Sequence, residues 1–473
     1  MDERTRIKNE QLGNGIKGPT GLSWLFCRNS ALASLKKFEI DNEEKIILQG
    51  LARRVKELSL LPIQEERRRR WNDHLKLKET EPLVFIDPES AWFEIIPHTS
   101  LKCHNDLARM WEFLLLKEIY WQENIRDDRV CRGEFSVQDI AWMSDFGITQ
   151  KSTGGENFTA YHIEPVIEDY DRDLPKLKFR TLKRDKENSA RVESMAHDVF
   201  DGILTVKKDN AWWFSAGLTV DFITLRGFEN FLYDFYDYPD EMKALMAFLR
   251  DDWLNMLNTL ETEGLLSLNN GGEFMGTGGY GWCDELTTEQ DLIQSPSFTD
   301  QDDLNRPFTG LQAPVSRNVR PMDMWGYSES QESVSVSPDA FAEFVLPYQL
   351  PILEKFGLTS YGCCEPLDNR IDILMEKVPR LRKVTVSPWS DVNLMAEKLG
   401  KNYTMCWKMS AAYISTPEVA EETIRQKARE AIGASRKNGC PLEILNRDIL
   451  TLSWHPENAA RWVQLVREEA RRF

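Results

Sequence analysis

The amino-acid sequence predicts an α/β protein that is built from repeated strand–helix units. In its C-terminal half, short apolar runs alternate with amphipathic stretches of roughly ten to twenty residues. Strands are predicted over the runs 265–269, 321–327, 358–364, 383–389, 403–409 and 441–447. Helices are predicted over 338–355, 367–378, 391–399, 416–437 and 456–472. The alternation fits a closed barrel or an open doubly wound sheet, and in both folds the chemistry lies at the carboxyl ends of the strands.

The N-terminal residues predict a helical extension in front of these units. Residues 1–40 are polar with weak periodicity, whereas 41–60 has apolar residues at helical spacing behind Asp41, which can cap a helix. We therefore place an arm and a helical extension over 1–80 and the α/β domain over 81–473.

Three further features divide the domain. A strand is predicted over 82–88, where an apolar run is bounded by prolines, and a helix over 105–121. Charge density rises and periodicity fades over 149–191, which predicts an insertion in the domain.

Composition excludes several classes of partner. The chain has 59 basic and 76 acidic residues, a formal net charge of −17, which repels nucleic acids and anionic membrane surfaces. It has no run of eighteen apolar residues and no secretory signal, so we expect a cytoplasmic protein. Its eight cysteines are scattered, which indicates reduced thiols, and the zinc motifs HExxH and CxxC are absent.

Four segments carry a resemblance to a known family. AGLTVDFITLRGFENFLYDFYDYPDEMKALMAFL covers 216–249 and MDMWGYSESQESVSVSPDAFAEFVLPYQLPILEKFG covers 322–357. The other two are 360–410, which begins SYGCCEPLDN, and 441–470, which begins PLEILNRDIL. Their order resembles the uroporphyrinogen decarboxylase superfamily, which includes corrinoid-dependent methyltransferases. The resemblance implies a (β/α)₈ TIM barrel whose site lies in the strand-end loops.

The same resemblance implies where a metal would bind. The zinc-binding methyltransferases of this superfamily carry His-x-Cys after one strand and a third thiolate after the last strand. Cys363 and Cys364 stand at the first place here and Asp448 at the second, while the histidine is missing. The resemblance thus implies a zinc site made by Cys363 or Cys364 with Asp448. The alternative is that both cysteines are small buried apolar residues.

Three other residues are candidates for acid–base chemistry. Glu365 follows a strand and precedes a proline, where a carboxylate is costly to bury unless it is paired. Lys408 lies in the apolar run MCWKM, which is abnormal for a buried strand. Glu332 lies in an acidic group with Asp323 and Glu329 after another strand. Structural ion pairs and a solvated loop are the alternatives to catalysis.

Aromatic residues are frequent at these predicted strand ends. Together they indicate a flat apolar substrate pocket, although core packing explains each of them equally well when it is taken singly. The residues predicted to bind substrate are Trp325, Tyr361, Trp389, Trp407 and Tyr280.

The function that the resemblance implies is transfer of a methyl group from a small methoxylated or methylated compound to a separate corrinoid protein. The chain lacks the DxHxxG motif of a cobalamin-binding domain, so the corrinoid is expected on the partner. One alternative is a decarboxylase of the uroporphyrinogen type, which is disfavoured because DPESAWFEI, after the first strand, has no arginine for a polycarboxylate. The other is a non-catalytic barrel that binds a partner. A homodimer is a further expectation.

Overall fold

Six parallel strands form the central sheet, in the spatial order β1–β12–β11–β10–β9–β8. The computed structural model describes residues 32, 35, 37–148, 151–154, 161–210, 212, 215–294 and 317–472. Most of the arm and part of the predicted insertion lie outside these residues. The sheet strands are β1 Leu83–Ile86, β8 Trp325–Ser328, β9 Leu358–Tyr361, β10 Leu381–Val386, β11 Thr404–Lys408 and β12 Leu442–Asn446.

The remaining strands form three two-stranded sheets. β2 (Glu134–Val137) pairs with β7 (Thr205–Lys208) in parallel. The two antiparallel pairs are β3 Ile140–Met143 with β6 Leu182–Asp185, and β4 Lys151–Gly154 with β5 Tyr161–Glu164. The predicted insertion therefore includes β4, β5 and β6.

Helices cover most of the connections. Asp41 caps the first of them in a reciprocal capping box with Glu44, as its place before an apolar-periodic run predicts. The helices in front of β7 are α1 Asn42–Ser59, α2 Pro62–Leu75, α3 Trp92–Ile95, α4 Asp106–Tyr120, α5 Tyr170–Asp173 and α6 Lys186–Phe200. Those between β7 and β8 are α7 Thr219–Arg226, α8 Phe228–Asp237, α9 Pro239–Thr262 and α10 Glu289–Gln294. Those after β8 are α11 Pro338–Phe344, α12 Leu346–Leu353, α13 Ile371–Lys377, α14 Val392–Leu399, α15 Glu421–Asn438 and α16 Glu457–Arg472.

Two predicted elements differ from the structure because of proline. The helix predicted over 338–355 is two helices, since the chain breaks at Val345 and Pro347 opens the second of them. The strand predicted over 321–327 starts late, because Pro321–Asp323 forms a 3₁₀ turn and the strand begins only at Trp325.

The strand predicted over 265–269 is not a strand. Its end is attached to β8 by one side chain, as the Asn269 carboxamide accepts from the backbone N–H of Trp325 at 2.8 Å and donates to its carbonyl at 3.0 Å. The Ser267 hydroxyl likewise accepts from the backbone N–H of Asn210 at 2.9 Å. Side-chain hydrogen bonds thus replace a backbone ladder here, which an apolar pattern cannot indicate.

The two strands of the sheet that come first and last along the chain, β1 and β12, are neighbours. β1 pairs with β12 in a parallel register from Leu83 opposite Glu443 to Ile86 opposite Asn446. The sequence-predicted α/β class is confirmed, with carboxyl ends of six strands at one edge. The eight-stranded barrel and the domain boundary near residue 80 stay predictions. Among the described helices, none combines the length and apolar character that a membrane span requires.

Candidate active site

A cysteine, a lysine and an aspartate meet at the carboxyl ends of three of these strands. The Lys408 ammonium, at the end of β11, lies 3.5 Å from the Cys364 sulfur and forms an ion pair with the Asp448 carboxylate. Cys364 Sγ is 3.8 Å from Asp448 Oδ2 and 3.5 Å from Cys363 Sγ. Cys363, Cys364, Lys408 and Asp448 are called the Lys408 cluster below. The structure thus brings together four residues that the sequence predicts for the site.

The electrostatics of the Lys408 cluster favour an ammonium beside an acidic thiol. Burial opposes the charge of Lys408, but Asp448 and Cys364 outweigh it and keep the pKa of the ammonium above its usual value. A hydrogen bond from Cys363 and the charge of Lys408 lower the pKa of the Cys364 thiol against the effect of burial. The hydrogen bond with Cys364 and burial raise the pKa of Cys363. Because the Asp448 side chain is 50% exposed, the cluster is open to solvent on one side.

Three carboxyl groups, two of them buried, form a second cluster next to it. Glu365 accepts from the backbone N–H groups of Ser330 and Cys363, each at 3.0 Å. Burial raises the pKa of Glu365, and it raises the pKa of Glu329 far more, with further contributions from the charges of Glu332 and Glu365. Glu329, Glu332 and Glu365 are called the carboxyl cluster below. A carboxyl group with a raised pKa keeps its proton to a higher pH than an exposed one and is better suited to donate it.

Glu332 and Asp323, which the sequence places in one acidic group with Glu329, each have a partner outside that group. Glu332 accepts from the Thr219 hydroxyl at 2.7 Å, so it is anchored to α7 rather than solvated. Asp323 forms an ion pair of 2.6 Å with Arg317, and its pKa is lowered by hydrogen bonds from that arginine and from Thr287, which together outweigh burial. A structural ion pair, one of the alternatives to catalysis, therefore accounts for Asp323.

The Lys408 cluster does not fit a zinc ion in this arrangement. The ammonium of Lys408 contacts both Cys364 and Asp448, at the position where a cation shared by these two ligands would lie. Within the described residues, the donor groups of Asp41, Glu44 and His104 are the set of three that converges as a metal requires, and Asp41 and Glu44 are already used as a helix cap. The zinc site of Cys363, Cys364 and Asp448 stays a prediction.

The predicted aromatic residues separate into three environments. Trp325 lines the cavity described next, and Tyr361 is buried, where its hydroxyl contacts Gln349 at 2.7 Å. Tyr280 is also buried and its hydroxyl accepts from Arg129 at 2.7 Å.

Trp407 is buried and alternates with Lys408, so it lies on the other face of β11. The Trp389 side chain is 77% exposed, so it lines no enclosed pocket in this arrangement.

A cavity of about 300 Å³ is linked to the Lys408 cluster through two of its lining residues, Tyr327 and Arg447, although no residue of the cluster itself lines it. Tyr327 forms part of its wall and donates a hydrogen bond of 2.8 Å to the Gly362 carbonyl, next to Cys363. Arg447, which precedes Asp448, donates to the Gly276 carbonyl at 2.8 Å. Gly276 has a positive φ of 58°, and a Cβ atom there would overlap the Tyr327 ring. The glycine-rich loop around residue 276 therefore lies against one wall of the cavity.

Arginines line this cavity, contrary to the sequence-based expectation. Arg129, Arg132 and Arg447 all contribute to its wall. Two of them lie in an irregular segment between α4 and β2, where no periodic pattern indicates what a side chain faces. Each is paired with a carboxylate, since the ion pairs of Arg129 with Glu118, of Arg132 with Glu273 and of Arg447 with Glu89 measure 2.7, 2.7 and 2.8 Å.

Comparisons with known proteins identify no family. No protein-family model matches the sequence, and no curated protein is similar to it. Among solved structures, a methyltransferase from Methanosarcina mazei is similar at 10% sequence identity and a TM-score of 0.47, over 85% of this chain and 98% of that chain.

Proposed function

We propose that this protein transfers a methyl group from a small methylated or methoxylated compound to a corrinoid protein. The observation that carries the proposal is the buried Lys408 ammonium, held between Cys364 and Asp448 at a half-exposed strand end. A methyl group on oxygen, nitrogen or sulfur is displaced readily only when that atom is protonated or bound to a metal. Lys408 and the carboxyl cluster supply protons at this strand end.

A single displacement step accounts for both the electron pair and the proton. The electron pair of the bond between methyl and heteroatom stays on the heteroatom, which takes a proton from Lys408 or from protonated Glu365. The corrinoid of the partner supplies the nucleophile that receives the methyl group. After the transfer, the backbone N–H groups of Ser330 and Cys363 stabilise the Glu365 carboxylate. Solvent then returns the proton through the exposed side of Asp448.

The carboxyl cluster sets the direction of this proton transfer. Burial raises the pKa of Glu329, and the neighbouring Glu332 and Glu365 raise it further, so the group keeps a proton to a higher pH than separate exposed carboxyl groups would. We assign Glu365 the role of proton donor because its neighbour in the chain, Cys364, contacts Lys408 directly. Glu332 has the role of a positioning residue, since Thr219 fixes its orientation.

The donor binds in the cavity with Trp325 and Tyr327 as flat walls, and its methyl-bearing end extends past Tyr327 toward the Lys408 cluster. The segment-by-segment resemblance to corrinoid-dependent methyltransferases supports methyl transfer to a corrinoid as the reaction. A volume of about 300 Å³ is at the lower end for small-molecule pockets and suits a compound of one ring. The half-exposed side of the Lys408 cluster is the surface on which the corrinoid protein would dock.

Decarboxylation of a porphyrinogen is the second candidate, and the cavity arginines are the observation that favours it. Each of those arginines already forms an ion pair with a carboxylate of the protein, so none is available to bind a substrate with many carboxylates. A tetrapyrrole is also far larger than the cavity. Methyl transfer to a corrinoid therefore ranks first.

An anaerobic assay tests the proposal. Reduced cobalamin, or a corrinoid protein encoded near this chain in its genome, is mixed with the protein and a panel of methoxyarenes, methylamines and methylated thioethers. The change from Co(I) to methyl-Co(III) is followed by its absorbance. We expect at least one donor to methylate the corrinoid at a rate that depends on the amount of protein. Failure of the whole panel with both acceptors would overturn the proposal.

A further inference from the structure

The charges around the cavity sum to zero. Within the described chain, equal numbers of basic and acidic side chains line it: Lys117, Arg129, Arg132 and Arg447 against Asp87, Glu118, Asp209 and Glu273. Burial alone would raise the pKa of Glu118 and Glu273, but the charges of Arg129 and Arg132 outweigh it and lower both values. The acidic partners are therefore ionised, and the cavity presents both signs of charge without an excess of either.

This balance discriminates between ligands by their net charge. A ligand with one charge would leave that charge uncompensated in a partly enclosed site, which is costly where water is excluded. A ligand with one positive and one negative group can pair each group with the opposite charge on the wall. The aromatic side chains of Trp325 and Phe274, which also line the cavity, favour a flat ligand.

An unsatisfied amide on the wall indicates that the cavity holds a polar ligand. Gln138 follows β2, lines the cavity and is buried. Its Oε1 atom has no hydrogen-bond partner among the residues that the structure describes. A buried polar atom without a partner is costly, and rotation of the amide would turn this atom toward a bound ligand.

From these observations we infer that the cavity binds a small, flat zwitterion. The two charged groups of the ligand pair with Arg132 and Glu273, so that neither wall charge loses a partner when their ion pair opens, and Gln138 accepts or donates one further hydrogen bond. The inference rests on the proposed function only in naming the ligand as the methyl donor. Binding itself is measured without a corrinoid protein, so the two proposals fail separately.

Four compounds of nearly equal size and shape test the charge preference. Two of them, N-methylnicotinate (zwitterion) and N-methylnicotinamide (cation), are methylated on the ring nitrogen. The other two are 3-methoxybenzamide (uncharged) and 3-methoxybenzoate (anion). Their affinities for the full-length protein are measured by calorimetry at low salt. We expect the zwitterion to bind most tightly and each ion to bind at least about tenfold more weakly. An ion or the uncharged compound that binds as tightly as the zwitterion would overturn the inference, as would no binding of any compound at millimolar concentration.

Charge-changing variants give a second readout that does not depend on absolute affinity. Glu273→Gln makes the cavity net positive and should move the preference toward 3-methoxybenzoate by about tenfold. Arg132→Gln makes it net negative and should move the preference toward N-methylnicotinamide. Glu65→Gln, in an exposed pair with Arg68, is the matched control and should change nothing. Circular dichroism establishes that each variant folds, and an unchanged order of preference in the two folded cavity variants would contradict the inference.

Discussion

The Tyr327 hydroxyl donates a hydrogen bond of 2.8 Å to the carbonyl of Gly362, which joins the wall of the cavity to the turn that carries both cysteines. The Thr277 hydroxyl lies 2.8 Å from that of Tyr327 and donates to the same carbonyl at 3.3 Å. A ligand that contacts the Tyr327 ring is therefore one turn of chain away from Cys363 and Glu365. The predictions below test how the two sides of this wall work together.

Cys364 should be the most reactive thiol among the described cysteines. Its pKa is lowered by Cys363 and Lys408 and it is partly exposed, whereas burial raises the pKa of Cys131 and Cys440. Brief treatment with iodoacetamide at pH 7, followed by peptide mass spectrometry, should find Cys364 labelled first. Lys408→Met should slow that labelling roughly 3- to 10-fold at pH 7. Equal labelling rates in the wild type and the variant would show that Lys408 does not activate the thiol.

Removing either proton donor should slow methyl transfer without unfolding the protein. We expect Glu365→Gln and Lys408→Met each to reduce kcat by roughly 10²-fold, the usual contribution of a general acid. Glu332→Gln should have a smaller effect, because this residue acts on the proton through Glu329. Since Glu365 must be protonated to donate, activity should fall as pH rises through its raised pKa. A pH profile that is identical in wild type and Glu365→Gln would exclude Glu365 as the donor.

Glu329 should make the protein less stable at high pH. Its pKa is raised in the folded state by burial and by neighbouring carboxylates, so its contribution to stability is complete below the ordinary value of 4.5 and is lost as pH rises toward the folded value. The free energy of unfolding should fall by about 1.4 kcal/mol per pH unit in this window.

Glu329→Gln, which imitates the protonated side chain, should remove that pH dependence. Urea unfolding at pH 5 and pH 8 measures the difference, with Glu65→Gln as the exposed control. Parallel curves for the wild type and Glu329→Gln would argue against a buried proton at this residue.

The metal content should respond to Lys408. We expect at most one zinc ion per chain, and any that is bound should depend on Cys364 and Asp448. Lys408→Ala should increase the zinc content after incubation with the metal, because it removes the ammonium that lies between these two donors. Elemental analysis of the wild type and of the Lys408→Ala, Cys364→Ser and Asp448→Asn variants tests this. Undiminished zinc in both of the last two variants would place any metal elsewhere.

No coproporphyrinogen should form from uroporphyrinogen. The cavity arginines are neutralised by their carboxylate partners, and the carboxyl cluster adds negative charge at the strand ends. Product is followed by its fluorescence after oxidation in an anaerobic assay, with an authentic decarboxylase as the positive control. Formation of product at ordinary protein concentrations would reverse the ranking of the two candidate functions.

Sequence patterns predicted well which residues lie at the strand ends, but they did not predict which residues line the cavity. Cys364, Lys408 and Asp448 meet because they end parallel strands of one sheet, and that edge follows from the order of the elements. Arg129 and Arg132 could not be foreseen, because the irregular segment that carries them has no periodicity that indicates which way its side chains point. Trp389 is the opposite case, as an aromatic residue at a strand end that faces solvent.

The overlap between a side chain at residue 276 and the ring of residue 327 also offers a way to recognise distant relatives. A larger residue at 276 can be tolerated only if 327 becomes smaller, and the hydrogen bond to residue 362 is then lost as well. These positions should therefore change together when sequences diverge. A search for glycine, tyrosine and glycine at 276, 327 and 362, with lysine and aspartate at 408 and 448, would gather proteins that share this chemistry even where overall identity has decayed.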